Sequence, residues 1–283
     1  MSGTLYVVGT PIGNLEDITL RALRTLREVD LIAAEDTRRT SKLLAHYEIR
    51  RPLRSVREHN EATEAPRLVA RLIAGESVAL VSDAGTPAIS DPGARLVRAA
   101  RDAGVKVTPI PGPSAVATAL SVSGLTADTY RFLGFPPASG VARDEWFERA
   151  ANEQGLVVVF ESPHRISRTL SDMSEYWSYR RISVCREMTK FNEELVEYTK
   201  LTSSIRERGE FTLVIGPSEA GARPQVADSE LAIMFGRLTE LAGFEPDVSA
   251  EITARYHALP VRVVRKAVKR ARISAKQQND TGT

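Results

Sequence analysis

The sequence predicts an α/β protein of two lobes, with a small basic helical appendage at its C-terminal end. Three observations carry that reading. Apolar runs of strand length alternate with segments of helical period through most of the chain, the pattern of a sheet covered by helices on both faces. Pro111-Gly112-Pro113 breaks the alternation and marks the passage into a second lobe. From 255 to 276 there are eight Lys/Arg and no acid, a composition unlike the rest of the chain. At 283 residues the chain is long for one compact domain. The expected division is one α/β lobe over 1–111, a second over 112–217, a linker at 218–228, a basic helical domain over 229–276 and a disordered tail at 277–283.

In the first lobe, 5–8 reads as a short apolar strand that enters the glycine- and proline-bearing loop 9–17. Leucines 20, 23 and 26 give 19–28 one apolar helical face. Residues 30–34 (DLIAA) form a second buried strand, ending in Glu35-Asp36-Thr37-Arg38. Segments 41–46 and 66–74 are helical, 78–81 is a strand, 94–103 a helix and 106–110 a strand. In the second lobe, 114–121 is a small-residue helix that Ser114 is suited to cap. Then come a strand at 131–135, a helix at 141–151, the strongest strand of the chain at 155–161 and a helix from 163 to 173. Strands at 182–187, 194–199 and 209–216 close the lobe. Beyond the linker-like 217–224, helices are expected at 229–241, 249–257 and 261–272.

Composition excludes several classes. The single cysteine, Cys185, rules out an internal disulfide and reads as a small buried hydrophobe, which suits a reducing cytoplasm. The four histidines lack metal-ligand spacing, so no metal is expected. No apolar run has membrane-helix length, and the start, MSGTLYVVGTP, lacks the charged region of a secretory leader.

The chemistry concentrates in loops. The longest is 82–93, SDAGTPAISDPG, between a strand end and a helix start, where open α/β sheets bind ligands. Asp83 follows the strand directly and suits a hydroxyl or ammonium partner. The G-x-x-x-G of 9–17 is neither a dinucleotide fingerprint nor a P-loop, and alone reads as a turn. In 35–38 one acid is expected to cap a helix, and His59-Asn60-Glu61 alone reads as surface. Polar segments 161–165 and 185–190 again fall at strand ends. Alongside 82–93, these five polar loops over two lobes point to a ligand in the cleft between them.

In order, GTPIGNLED, AEDTR, SDAGTPAISDPG, PGPSA, FESPHR, CREMTK and GEFTLVIG resemble one family. It is the bacterial small-subunit ribosomal RNA cytidine-2′-O-methyltransferases of the tetrapyrrole-methylase superfamily, and the resemblance spans 5–217. The first glycine loop and PGPSA indicate the superfamily; AEDTR, SDAGTPAISDPG and CREMTK indicate its RNA-modifying branch. The resemblance implies a two-lobed, tetrapyrrole-methylase-like (class III) homodimer with S-adenosylmethionine in the cleft. The implied substrate is a cytidine ribose in the decoding region of 16S ribosomal RNA, within the 30S subunit. Carried over by motif, the cofactor is held by Pro11 and Ile12, by Asp83, Ala84, Gly85, Thr86, Ile89 and Ser90, and by Ser114 and Ala115. Phe160, Thr212 and Leu213 line its adenosine side.

Such transfer requires the oxygen to be aligned with the methyl group and a very weakly acidic proton to be removed. Asp36, Glu187 and Lys190 are the candidates near the cleft, and Arg38, Arg165 and Arg186 suit RNA phosphates. Each reads equally as a salt-bridge partner behind the site. In the basic tail, with helix–turn–helix-like spacing, Arg265, Lys266, Lys269 and Arg270 form a footprint for RNA, or else a solvated basic face. Two other readings stay open. A tetrapyrrole or other small-molecule methylase would need an apolar trough where these segments carry Arg, Glu and Lys. A non-catalytic RNA-binding protein would not need the intact glycine loops.

Overall fold

The structure, a computed structural model, describes residues 2–177, 180–198, 205–217, 226–257, 259 and 261–280. Its first lobe is built from β1 (Thr4–Val8), α1 (Leu20–Glu28), β2 (Leu31–Ala34), α2 (Thr37–His46), β3 (Leu53–Ser55), α3 (Glu61–Ile73), β4 (Val78–Val81), α4 (Ala94–Asp102) and β5 (Lys106–Ile110). The strands form one parallel sheet in the order β3-β2-β4-β1-β5. β2 and β4 are buried at every residue, as the apolar runs LIAA and VALV require of strands covered on both faces. Alternate residues sort to opposite faces. Leu31, Ala33, Val78 and Leu80 pack with Leu68 and Leu72 of α3 and Leu96 of α4. Ile32, Ala34, Ala79 and Val81 pack with Leu26 of α1 and Leu44 of α2.

The chain continues through α5 (Ala115–Val122), β6 (Tyr130–Phe132), α6 (Gly140–Ala151), β7 (Leu156–Glu161), α7 (Ile166–Tyr176), β8 (Ile182–Arg186), β9 (Glu194–Tyr198) and β10 (Phe211–Ile215). The second sheet, β6-β7-β10-β8-β9, is mixed: β6 runs parallel to β7, and the other pairs are antiparallel. Cys185 lies in its buried strand β8, where burial pushes the thiol up to about 11 and away from nucleophilic chemistry.

Two compact units result. One holds both sheets, in Met1–Pro137, Gly155–Ser167 and Arg181–Gly216; the other comprises Ala138–Gln154, Arg168–Arg180 and Pro217–Thr283. The second unit is helical among its described residues, where α8 (Asp228–Gly236), α9 (Pro246–Tyr256) and α10 (Val261–Asp280) share a core of Leu231, Phe235, Ala254, Val264 and Val268. There Arg143 of α6, almost wholly buried, bonds Asp172 at 2.9 Å and Thr169 at 2.8 Å on α7. No helix among the described residues is long and apolar enough to cross a membrane.

The elements differ from expectation chiefly in four places. β3 was not foreseen, because LRS at a half-exposed edge carries no apolar run. α2 starts at Thr37 because Asp36 caps it, accepting from the Arg38 N–H. α3 starts at Glu61, with Pro66 inside the helix rather than at its head; Asn60 accepts the Thr63 and Glu64 N–H groups and sets the first turn. α10 runs on to Asp280, past Gln277. Linker residues 218–225 and tail residues 281–283 lie outside the described residues.

Gly9 and Gly112 bring the loops after β1 and β5 together backbone to backbone. A Cβ on Gly9 would lie 2.8 Å from the Gly112 Cα. Gly9→Ala is therefore expected to cost about 1–3 kcal/mol of unfolding free energy, read as a lower urea midpoint at unchanged m-value.

Candidate active site

β4, β1 and β5 are neighbours in a parallel sheet, so their carboxyl-end loops leave side by side. Thr10 and Gly85 exchange backbone hydrogen bonds, N to O, at 2.9 and 3.1 Å. The Thr10 hydroxyl donates to the Ser82 carbonyl at 3.2 Å, and the Gly9 N–H to the Ile110 carbonyl at 3.1 Å. The Thr86 hydroxyl donates to the Pro113 carbonyl at 3.3 Å, beside Ser114, which caps α5. Within this frame the backbone turns left-handed at Gly85 (φ 78°), Ala88 (66°), Ser90 (62°) and Gly93 (127°). For Ala88 and Ser90 that conformation costs on the order of 1–3 kcal/mol each, a strain found mostly at ligand sites.

These loops wall a cavity of about 360 Å³ inside the unit that holds both sheets. Of the residues expected to hold a cofactor, Ile12, Ala84, Gly85, Thr86, Ile89, Ser90, Ser114, Ala115, Phe160 and Thr212 line it. Phe135 and Met188 add apolar wall from the second sheet's loops. Pro11, Asp83 and Leu213 lie outside the lining. Pro11 is buried, and Leu213, fully buried in β10, points to the face opposite Thr212. Asp83 turns to α2, accepting the Asp36 N–H at 3.0 Å and facing the Arg39 guanidinium at 3.4 Å.

The acids sort by environment. Asp91, which the sequence reading passed over, lines the cavity, and burial pushes its carboxyl up to about 6. The charges of Glu35 and Asp83 push the same way, against a bond from Ser82. Glu35 is raised as well, by burial first. Asp36 moves oppositely: the Arg38 N–H it caps holds it below the usual range. For Glu187, burial raises the carboxyl, but bonds from the Lys190 ammonium at 2.8 Å and the Glu210 N–H at 2.8 Å outweigh it, and the net direction is down. Burial opposes the charge on Lys190, yet Glu187 and Glu210 raise its proton affinity overall. Asp36 and Glu187 are thus poor bases, and Lys190 is a fixed cation.

The arginines divide too. Arg186 is buried, bonding Glu194 at 2.8 Å and the Arg208 carbonyl at 3.1 Å. Arg165 pairs with buried Glu161 at 2.7 Å and donates to the Pro136 carbonyl at 3.1 Å. Both guanidiniums are engaged inside the protein. Arg38 is 85% exposed at the head of α2. On α10, Lys266 bonds Glu148 of α6 at 2.9 Å, Arg270 stands 3.6 Å from the same carboxylate, and Arg265 meets Asp247 at 2.8 Å; Lys269 is exposed. Among the described residues no three His, Cys, Asp or Glu side chains group as metal ligands would.

Residues 4–203 match the family of Tetrapyrrole (Corrin/Porphyrin) Methylases. The chain is 49% identical over 221 residues to the ribosomal RNA small subunit methyltransferase I of Xylella fastidiosa, covering 75% of this chain and 81% of that protein. It is 46% identical over 261 residues to the protein of that name in Neisseria meningitidis serogroup B, covering 89% and 90%. Among solved structures it is similar to a diphthine synthase, with a TM-score of 0.58 at 14% identity, covering 76% of this chain and 90% of that one. It is similar also to uroporphyrin-III-C-methyltransferase from Thermus thermophilus, with a TM-score of 0.52 at 20% identity, covering 76% and 94%. At those identities the structures share the fold alone.

Asp91 binds its proton more readily folded, at about 6, than at its ordinary 3.8, so this group's own contribution to stability is fully present below the lower value and is lost as pH rises through the higher. Asp91→Asn removes that ionisation. The variant is expected to be more stable than wild type by about 1–2 kcal/mol at neutral pH, after solvent screening is allowed for. In urea melts across pH the difference should close below about pH 4.

Proposed function

The chain belongs to the tetrapyrrole (corrin/porphyrin) methylase family, and from that premise we propose that it methylates the ribose 2′-oxygen of a cytidine in small-subunit ribosomal RNA, with S-adenosylmethionine as donor. One observation carries the reading furthest: a nucleoside-sized, largely apolar cavity has in its wall a carboxylate of raised proton affinity, Asp91. The residues present fit the cofactor. Ile12, Phe160 and Met188 offer surface to a purine, Ser90, Ser114 and Thr212 offer hydroxyls, and Gly85 supplies a left-handed turn (φ 78°) that a side chain would strain. When bound, S-adenosylmethionine supplies an electrophilic methyl group on a sulfonium.

The chain's own residues do the rest. The stitched loops hold the reacting partners in line. Asp91 is ionised at neutral pH yet more basic than an ordinary aspartate, and it takes the hydroxyl proton. Glu187 and Lys190, on either side of Met188 in the sequence, act as a fixed ion pair. They are braced by the first loop, whose Asn14 N–H donates to Thr189 Oγ1 at 3.1 Å. Asp36 sets the head of α2, from which Arg38 and Lys42 reach out for phosphates. Arg265 and Lys269 add cations on α10. The names of the relatives support the RNA substrate; a homodimer acting in the cytoplasm on the assembled 30S subunit is the context proposed.

Transfer of label from S-adenosylmethionine to purified small subunits lacking the modification tests the reading, with label expected on a cytidine ribose. Tight cofactor binding with no label on RNA would return the small-molecule methylase. Asp91→Asn is expected to bind the cofactor yet lose about 10²- to 10⁴-fold in kcat. Replacing Arg265 and Lys269 together by alanine should flatten the slope of log affinity against log salt by about 1–2.

A further inference from the structure

The tripeptide His59-Asn60-Glu61 lies outside the cavity lining, yet its last residue reaches the loop that carries Asp91. Glu61 opens α3 and is 5% exposed. Its Oε1 accepts the backbone N–H groups of Gly93, Arg95 and Leu96 at 3.0, 2.8 and 3.1 Å. These are unpaired donors at the positive end of α4, whose own N-cap, Gly93, has no side chain to offer them. Gly93 is needed there: its φ is 127°, and a Cβ would lie 2.7 Å from Leu80 Cδ2. So a neighbouring helix supplies the missing cap through a buried, charge-assisted contact. Asn60 fixes that helix in turn, accepting the Arg57 N–H at 2.7 Å and donating to the Ser55 carbonyl at 3.2 Å. The near end of the 82–93 loop is held by Thr10; Glu61 holds the far end, two residues from Asp91.

We propose that Glu61 is a positioning residue for methyl transfer: its carboxylate, seated on three N–H groups at the start of α4, holds the 82–93 loop so that Asp91 stays in the cavity wall. The inference rests on the reading of Asp91 as proton acceptor, and the experiment separates the two.

Full-length Glu61→Ala, Glu61→Asp and Glu61→Gln are assayed with labelled S-adenosylmethionine and small subunits across pH, with amide exchange followed at Gly93, Arg95 and Leu96. Glu61→Ala is expected to lose about 10- to 100-fold in kcat. The acidic limb of its kcat profile should move to lower pH as water reaches Asp91, and the three amides should exchange faster. Glu61→Gln, which keeps an acceptor oxygen at the same reach, should restore most of kcat; Glu61→Asp, one methylene short, should not. Wild-type kcat and pH profile in Glu61→Ala overturn the proposal. Loss of kcat with the limb unmoved overturns it too, because reduced stability alone does that. If Glu61→Ala does not fold, Glu61→Gln and Glu61→Asp decide by their order. If Asp91→Asn turns over normally, the proton-acceptor reading has failed. Glu61 is then judged by exchange, and unchanged rates at the three amides end its positioning role.

Discussion

Beyond the carboxyl ends of β1 and β4, Thr10 and Gly85 exchange backbone hydrogen bonds, and the placement of the cavity-lining loops of the first lobe follows from that exchange. The pair is an isolated antiparallel bridge, made where the two parallel strands have ended and their loops turn toward each other. It fixes Ile12 relative to Ala84 and Thr86, and so sets one wall of the cavity. The second constraint is the contact of Gly9 with Gly112, which draws in the turn leading to Ser114 and α5. Both depend on backbone groups meeting without side chains between them. A side chain added at Gly9 or Gly112 would therefore act on the site by displacing the backbone frame.

Electrostatics inside the frame follow from what each carboxylate touches. Asp36 and Glu187 are stabilised in their charged forms by N–H groups and a lysine, whereas Asp91 sits where water is scarce and two other acids are near. Carboxylates within one unit thus differ in proton affinity according to what each touches, lowered at Asp36 and Glu187 and raised at Asp91. The fold bears a cost for this: keeping Asp91 charged in the cavity opposes folding at neutral pH, as do the left-handed Ala88 and Ser90. Buried clusters on both faces of the first sheet supply the surplus that holds such a loop.

Much of this was legible in the sequence where hydrophobic pattern decides the outcome. LIAA and VALV announce buried parallel strands, and seven loop motifs in order identify the fold. The mixed second sheet was less accessible, because strand direction leaves no mark on an apolar run. β3 escaped notice because an edge strand needs only half an apolar face. Among the polar residues, sequence displays charge but not partners. Arg165 and Arg186 read like ligands for phosphate until Glu161 and Glu194 are seen beside them. Asp83 and Asp91 look equivalent in SDAGTPAISDPG, and only burial separates the one that turns to α2 from the one in the cavity wall. Glu61 read as surface because its partners are backbone groups some thirty residues away, at Gly93, Arg95 and Leu96.

The buried thiol of Cys185 has a practical bearing on how this molecule can be watched. It is the one cysteine of the chain, enclosed in β8 with its proton held up to about 11, so in the native state it is silent to alkylating dyes. A new cysteine placed at fully exposed Phe191, beside the Glu187–Lys190 pair, would react alone. A fluorophore there would report on the segment that carries Met188 without first stripping the protein of its own sulfur chemistry.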